Sequence, residues 1–307
     1  MQMKVELKEL KKSFGEKEVL KGISLETESG QALGLLGRNG AGKTTTIRIL
    51  MGVFYQDGGT ITVDGKPIDR SKLRIGYLPE ERGLYPKQKI GSQLVYFGML
   101  RGLSKQQARD NTVRWLDRMG MSEYKDRKLE TLSKGNQQKI QLAVTLLCDP
   151  QLVILDEPFS GLDPVNAMLL KDVIAERIND GAAVIFSSHQ MNYIEEFCNN
   201  ISILNGGRIV IDGNINSIKR SYPRDTINVF SEDPETVIGV LKSGFADRME
   251  NAAVDEKNAC VTVKLRDEGH KDSLVKMLLD SRVKLDGFRI KEPSLNDIFV
   301  QYTEGGI

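Results

Sequence analysis

The segment Gly37-Arg38-Asn39-Gly40-Ala41-Gly42-Lys43-Thr44-Thr45 fits the pattern Gly-x-x-x-x-Gly-Lys-[Ser/Thr]. Its glycines let backbone N–H groups turn inward, which forms a concave nest for a phosphate. A helix that starts at the end of the loop adds the positive end of its dipole. Lys43 would then contact the β- and γ-phosphates of a nucleotide, and the Thr44 hydroxyl would ligate Mg²⁺. The predicted nucleotide-binding residues of the loop are Gly37, Asn39, Gly40, Ala41, Gly42, Lys43, Thr44 and Thr45.

The flanks of this loop support the same interpretation. Residues 31–36 form a short apolar run typical of a buried strand, and residues 46–51 suit the helix that follows. A glycine-rich turn that matches the pattern by accident is the alternative. The strand before the loop and the helix after it favour nucleotide binding.

The composition is that of an ordinary globular protein, with 307 residues, 40% hydrophobic and 28% charged. This length suggests two domains. The net charge is +1, from 43 basic and 42 acidic residues, so nothing indicates nucleic acid as a partner. Cys148, Cys198 and Cys260 are far apart, which favours buried thiols in a reducing compartment.

Neither a signal peptide nor a membrane span is expected. The first residues are charged throughout, and no apolar segment approaches the roughly 20 residues that cross a bilayer. We therefore expect that the chain does not cross a membrane by itself.

The N-terminal part alternates polar and apolar residues. Residues 3–29 and the segment 58–68, with its Asp64-Gly65 turn, are typical of antiparallel strands and a hairpin. Phe14 lies near a predicted turn. Its ring could stack on a base, or it could be a minor core residue.

Residues 90–147 are predicted to be largely helical. Ser104 and Gln107 are predicted to form a capping box, and Gly120 is predicted to end a helix. The segment Leu132-Ser133-Lys134-Gly135-Asn136-Gln137-Gln138 precedes an amphipathic helix. The start of this helix is either a second helix N-terminus that binds an anion or an ordinary N-cap.

Two apolar strands end in polar side chains. The run 151–155 is followed by Asp156 and Glu157, and the run 182–188 by His189. Strands of this kind suit a parallel sheet, whose carboxyl edge is where such sheets bind ligands. Asp156 then fits a Mg²⁺ ligand and Glu157 a general base. Two charges that end a strand at solvent, and a merely satisfied histidine, are the alternatives.

The composition shifts near residues 221–223. Strand-like runs at 226–230, 260–265 and 288–290 alternate with helical segments, which suggests a small α+β, ferredoxin-like domain. It carries no clear catalytic constellation. We therefore predict two domains, residues 1–220 and 221–307.

Taken in order, these motifs resemble the ATP-binding subunit of an ABC transporter over residues 3–220. The matching segments are 37–45 (Walker A), 132–138 (signature), 152–157 (Walker B), 160–163 (D-loop) and His189 (switch histidine). The resemblance implies an α/β P-loop NTPase core with an antiparallel β subdomain and a helical signature subdomain, plus the small C-terminal α+β domain.

The resemblance also implies roles for single residues. Phe14 would stack on adenine, and Ser133, Gly135 and Asp163 would bind nucleotide. Glu157 and His189 would be catalytic, and the metal ligands would be Thr44, Glu80 and Asp156. The chain departs from the family at Lys134 and Asn136 in the signature, and at Glu80, where a glutamine is usual.

Implied partners are ATP, Mg²⁺, a second copy of the chain in a head-to-tail nucleotide sandwich, and a separate transmembrane permease at the cytoplasmic face of the membrane. The signature variants and the C-terminal segment resemble an exporter branch that includes NatA-like sodium-extrusion and drug-resistance ATPases, so the substrate would be an ion or a small hydrophobic compound. A non-transport ABC ATPase acting on ribosomes or DNA is the alternative, but it usually carries two ATPase units or a long coiled-coil insert. A nucleotide sensor without turnover is disfavoured by Asp156, Glu157 and His189.

Overall fold

The computed structural model describes residues 3–81, 83–256, 258–281 and 283–304. The chain divides into two compact units. The first comprises the residues up to Ile215 and those from Phe299 onwards, and the second is Asn216–Ile298. None of the helices in the described ranges combines the length and the apolar composition that a bilayer crossing requires. Cys148, Cys198 and Cys260 are buried free thiols, as expected.

The first unit contains two sheets and their helices. Its strands are β1 (Lys4–Phe14), β2 (Lys17–Glu28), β3 (Ala32–Gly37), β4 (Gly58–Val63), β5 (Lys66–Pro67), β6 (Ile75–Leu78), β7 (Leu152–Asp156), β8 (Ala183–Ser187), β9 (Asn200–Asn205) and β10 (Arg208–Asn214). Its helices are α1 (Lys43–Leu50), α2 (Ile90–Leu100), α3 (Lys105–Arg118), α4 (Lys134–Leu146), α5 (Pro164–Asn179) and α6 (Met191–Phe197), and α7 (Ile215–Arg220) begins at its boundary.

The larger sheet carries the phosphate-loop strand. Its strand order is β10-β9-β3-β8-β7-β6, with parallel pairing from β9 to β6 and an antiparallel β9–β10 hairpin. Every residue of β7 and β8 is buried, as expected for central strands covered on both faces. Asp156 pairs with Ser187 in the register of β7 and β8. The carboxyl ends of β3, β7 and β8 therefore meet at one edge, which confirms the prediction of a parallel sheet.

The smaller sheet is antiparallel, in the order β2-β1-β4-β5. The apolar residues Leu7 and Ile23 from this sheet share one core with Leu33 of β3 and Ile47 of α1. Burial of these side chains holds the antiparallel sheet against the phosphate loop and its helix.

Helices α2, α3 and α4 lie between β6 and β7 in the chain, although those two strands are neighbours in the sheet. The capping box is present, since Ser104 Oγ accepts from the Gln107 N–H and the Gln107 side chain accepts from the Ser104 N–H. Gln141 of α4 donates from Nε2 to the carbonyl oxygens of Pro79 and Glu81, at 3.1 Å each. Helix α4 thereby fixes the backbone on both sides of Glu80.

The second unit has strands β11 (Thr226–Phe230), β12 (Met249–Asp255), β13 (Cys260–Leu265) and β14 (Gly287–Ile290). Helices α8 (Pro234–Gly244) and α9 (Lys271–Asp280) lie between strands, and α10 (Leu295–Glu304) begins in this unit and ends in the first. The order β12-β13-β11-β14, with the succession β-α-β-β-α-β, is ferredoxin-like, as expected. Strand β12 was not predicted.

Candidate nucleotide-binding site

The loop between β3 and α1 needs glycine at its two ends. A Cβ on Gly37 would lie 2.6 Å from the Leu204 carbonyl oxygen, and one on Gly42 would lie 2.6 Å from Leu20 Cδ2. Gly42 has φ +119°, which disfavours any other residue. No side chain in the described residues caps the N-terminus of α1, so its first N–H groups are available to an anion.

The Lys43 ammonium contacts the first residues of the loop. Its Nζ donates to the carbonyl oxygen of Gly37. Burial lowers the pKa of Lys43 from its usual value, while Glu157, Asp156 and Glu80 attract the charge and oppose that shift. A phosphate oxygen offers this cation a stronger, charge-assisted partner than a carbonyl does, so the loop fits a phosphate.

The three predicted metal ligands share one cavity. Thr44, Glu80 and Asp156 line a space of about 330 Å³ together with Tyr77 and Arg48. Burial raises the pKa of Asp156, and the carboxylates of Glu80 and Glu157 raise it further. A divalent cation here would relieve that repulsion.

No cluster of three or more His, Cys, Asp or Glu side chains forms a ready-made metal site within the described residues. Such a cluster is not required for Mg²⁺, which usually takes one or two carboxylates and completes its shell with water and substrate phosphates. The donor set of one hydroxyl and two carboxylates fits that coordination.

Glu157 is held by three contacts with the two residues that follow β8. Its Oε1 accepts from the backbone N–H of His189 at 2.9 Å and lies 2.9 Å from His189 Nδ1, and its Oε2 accepts from Ser188 Oγ at 3.1 Å. Glu157 has φ +50°, a strained conformation for a non-glycine residue. Its side chain is 10% exposed and that of His189 is 72% exposed. The structure thus brings these two predicted catalytic residues into direct contact.

Ser133, Gly135 and Asp163 come together where α4 and α5 begin. Ser133 caps α4 by accepting from the Asn136 N–H at 3.3 Å, and Asp163 caps α5 by accepting from the Asn166 N–H at 3.0 Å. A Cβ on Gly135 would lie 2.5 Å from Asn166 Nδ2. The start of the signature helix therefore packs against the residues that follow the D-loop.

Phe14 lies at the end of β1 and is 44% exposed. Its ring meets Phe54 edge to face at 5.3 Å, and Lys12 Nζ lies 5.5 Å from its centroid. An exposed aromatic ring can stack on a base. The role of Phe14 toward adenine stays a prediction.

Sequence reasoning missed two residues of the site, Ser188 and Asn166. Ser188 could have been found as the polar residue between a buried strand and His189. Asn166 carried no comparable signal, because its importance depends on α4 packing against α5.

Comparison with known proteins identifies the family. The profile described as ABC transporter matches residues 20–160, and the one described as ATP-binding protein DrrA1-3-like, C-terminal domain, matches residues 213–303. The chain is 41% identical to the uncharacterized ABC transporter ATP-binding protein YhaQ of Bacillus subtilis (strain 168), over 94% of this chain and 95% of that protein. It is 34% identical to the Nod factor export ATP-binding protein I of Paraburkholderia xenovorans (strain LB400), over 75% and 77% of the two chains.

A solved structure described as the ATP binding subunit of an ABC transporter superposes with a TM-score of 0.65. It is 29% identical, and the superposition covers 71% of this chain and 92% of that one. The parallel sheet, the phosphate loop and these similarities lead to one conclusion: the chain belongs to the family of ABC transporter ATP-binding proteins and is an ATP-hydrolysing transporter subunit.

Proposed function

We propose that this subunit binds Mg-ATP at the phosphate loop and powers export by closing against a second copy of itself beneath a separate permease. The observation that carries the proposal is the contact between Glu157 and His189. These residues follow β7 and β8, and β8 is a direct neighbour of the phosphate-loop strand β3. In this proposal the carboxylate and the imidazole face the γ-phosphate, which agrees with the attraction between Glu157 and the Lys43 ammonium of the loop.

Each residue has a distinct role in this proposal. Glu157 accepts a proton from the attacking water, and the His189 and Ser188 contacts hold its carboxylate in one orientation. The loop amides and Lys43 hold the phosphates, and Phe14 packs on adenine. Magnesium, when bound, would neutralise phosphate charge, with Thr44, Asp156 and Glu80 as its protein ligands.

A second copy would complete the site through Ser133, Gly135 and Asp163. Beside Asp163, Val165 and Met168 of α5 are 76% and 65% exposed. These two apolar side chains lie three residues apart and so on one face of the helix. The exposure of these two side chains supports the proposal of a homodimer, in which a second copy would cover them with ATP between the chains.

The permease would dock beside helix α2. Tyr85, Gln88, Ser92, Gln93 and Tyr96 line a cavity of about 370 Å³. Gln93 exchanges two hydrogen bonds of 2.9 Å with the backbone of Tyr85. Because Tyr85 follows the Glu80 loop closely in the chain, a partner bound here could transmit movement to the metal site.

Export is supported by the relative named for Nod factor export. The narrower likeness to sodium-extrusion and drug-resistance ATPases, and hence an ion or small hydrophobic substrate, belongs to this proposal. In it the subunit works at the cytoplasmic face of the membrane, and residues 1–220 form the ATPase domain and residues 221–307 an accessory domain.

Affinity purification from detergent-solubilised cells tests this function. The expected result is recovery of one polytopic membrane protein with the wild-type chain, and of much less with Tyr96→Ser. Tyr55→Ser is the matched control, because Tyr55 is 84% exposed and lies outside the α2 cavity. The purified complex should move its substrate in vesicles only with Mg-ATP. Recovery of ribosomes or DNA in place of a membrane protein would overturn the proposal.

A further inference from the structure

An aromatic cluster is formed by residues that lie close in the chain to Glu157 and His189. It consists of Phe159, Phe186, Tyr193 and Phe197. The Phe159 and Tyr193 ring centroids are 4.0 Å apart, and Phe159 lies 5.8 Å from Phe186 and 5.9 Å from Phe197. Phe159 and Phe186 are buried, whereas Tyr193 and Phe197 are partly exposed. Tyr193 therefore closes the cluster toward the surface.

The members of this cluster belong to the segments that carry the catalytic candidates. Phe159 follows Glu157 by two residues, Phe186 lies on β8, and Tyr193 is on α6, which begins two residues after His189. The contact between Phe159 and Tyr193 thus joins the segment that follows Glu157 to the helix that follows His189.

A cation ties a third element to the same ring. Lys171 Nζ of α5 lies 5.0 Å from the Tyr193 centroid and pairs with Glu196 of α6 at 2.6 Å. Helix α5 is the one that Asp163 caps. Tyr193, on the helix that follows the switch histidine, therefore contacts two other segments. Phe159 belongs to the segment after the Walker B carboxylates, and Lys171 to the helix after the D-loop.

Helix α6 takes its position from these contacts together with Ile194, which is fully buried. It has only seven residues, and no side-chain hydrogen bond from Gln190 caps its start. A helix this short is not stable on its own and takes its place from packing. The His189 side chain is 72% exposed, so apart from its contacts with Glu157 its position depends on the anchoring of the helix that follows it.

We propose that Tyr193 is a positioning residue for ATP hydrolysis: its ring, clamped between Phe159 and Lys171, keeps His189 against Glu157. The inference rests on the proposed roles of Glu157 and His189. Removal of the ring lets α6 shift relative to the Walker B segment, and a displacement of about 1 Å at a catalytic group can cost roughly a hundredfold in rate.

Tyr193→Leu in the full-length chain is the test. We expect kcat for ATP hydrolysis to fall roughly tenfold or more, with the Kd for Mg-ATP within about twofold of wild type. Tyr193→Phe should restore kcat, because it keeps the ring. Tyr124→Leu is the matched control, since Tyr124 also lies under a cation, with Arg127 5.1 Å from its centroid, but outside the cluster. If Tyr193→Leu fails to fold, Tyr193→Met replaces it with a flexible apolar side chain.

A double variant that combines Tyr193→Leu with Glu157→Gln distinguishes a failure of the positioning role of Tyr193 from a failure of the proposed base role of Glu157. If Tyr193 acts through the pair, Tyr193→Leu causes no further loss of rate in the Glu157→Gln background. An equal loss in both backgrounds, or an unchanged kcat in folded Tyr193→Leu, would overturn the positioning role. An unchanged kcat in Glu157→Gln alone would instead refute the proposed base.

Discussion

The Nδ1 atom of His189 lies 2.9 Å from Oε1 of Glu157, and the His189 backbone N–H donates to the same oxygen. With Ser188 Oγ on the second oxygen, the carboxylate is fixed in one orientation before any substrate enters. When Nδ1 carries the proton, Nε2 is left as an acceptor on an exposed ring. In the proposed mechanism, the pair would therefore hold a water and take its proton without rearranging.

Replacement of Glu157 by Gln should lower kcat by roughly 10²–10⁴-fold, because a positioned general base contributes that much. ATP binding should persist, since the amide keeps the shape of the carboxylate. Steady-state hydrolysis and nucleotide titration measure the two effects. Glu123→Gln, on an exposed residue, is the matched control and should behave as wild type. Wild-type turnover in Glu157→Gln would remove this residue from the base role.

Replacement of Lys43 by Ala should weaken ATP binding. The ammonium supplies a charge-assisted hydrogen bond worth about 1.5–3 kcal/mol, which corresponds to a roughly ten- to hundredfold increase in Kd. Calorimetric titration with Mg-ATP checks this, and Lys66→Ala on the exposed strand β5 is the control. Equal affinities of Lys43→Ala and wild type for ATP would contradict the phosphate role of the loop.

Gly135→Ala should reduce hydrolysis roughly tenfold or more, because the added methyl group collides with Asn166 at the start of α5. Asn166→Ala removes the side chain that the methyl group would meet, but it keeps the backbone N–H that donates to the Asp163 carboxylate. The double variant should therefore recover activity. Failure of this rescue would indicate that Gly135 acts through another contact, such as close approach to nucleotide.

Leu241→Ala should destabilise the second unit by about 2–5 kcal/mol, since the Leu241 side chain is fully buried among its apolar residues. Denaturant unfolding of the full chain, followed by circular dichroism, measures the loss. Lys242→Ala, on the exposed neighbour, should change stability little. A transition identical to wild type in Leu241→Ala would contradict the described core.

The sequence predicts the phosphate-loop region well because its signals are local. Glycine spacing, a short apolar strand and a following helix lie in one continuous segment, and the structure has them at β3 and α1. Apolar runs at β7 and β8 likewise identify central strands. Even so, α1 begins at Lys43 and not at residue 46, since the first turn of the helix belongs to the loop motif.

Other features depend on tertiary contacts. Strand β12 was missed because its sequence, Met-Glu-Asn-Ala-Ala-Val-Asp, lacks a clear alternation and buries only Met249 fully. Its register against β13 is also interrupted between Met249 and Asn251. The approach of Gly135 to Asn166, and of Phe159 to Tyr193, joins residues more than thirty positions apart. Neither contact leaves a periodic pattern in the sequence.

Helices α2, α3 and α4 form the connection between β6 and β7, which are adjacent strands of the sheet. A segment whose two ends meet can lengthen, shorten or change its surface over evolutionary time without altering the register of the strands. Descendants of one ancestral ATPase can in this way acquire different membrane partners while they inherit the same hydrolytic chemistry.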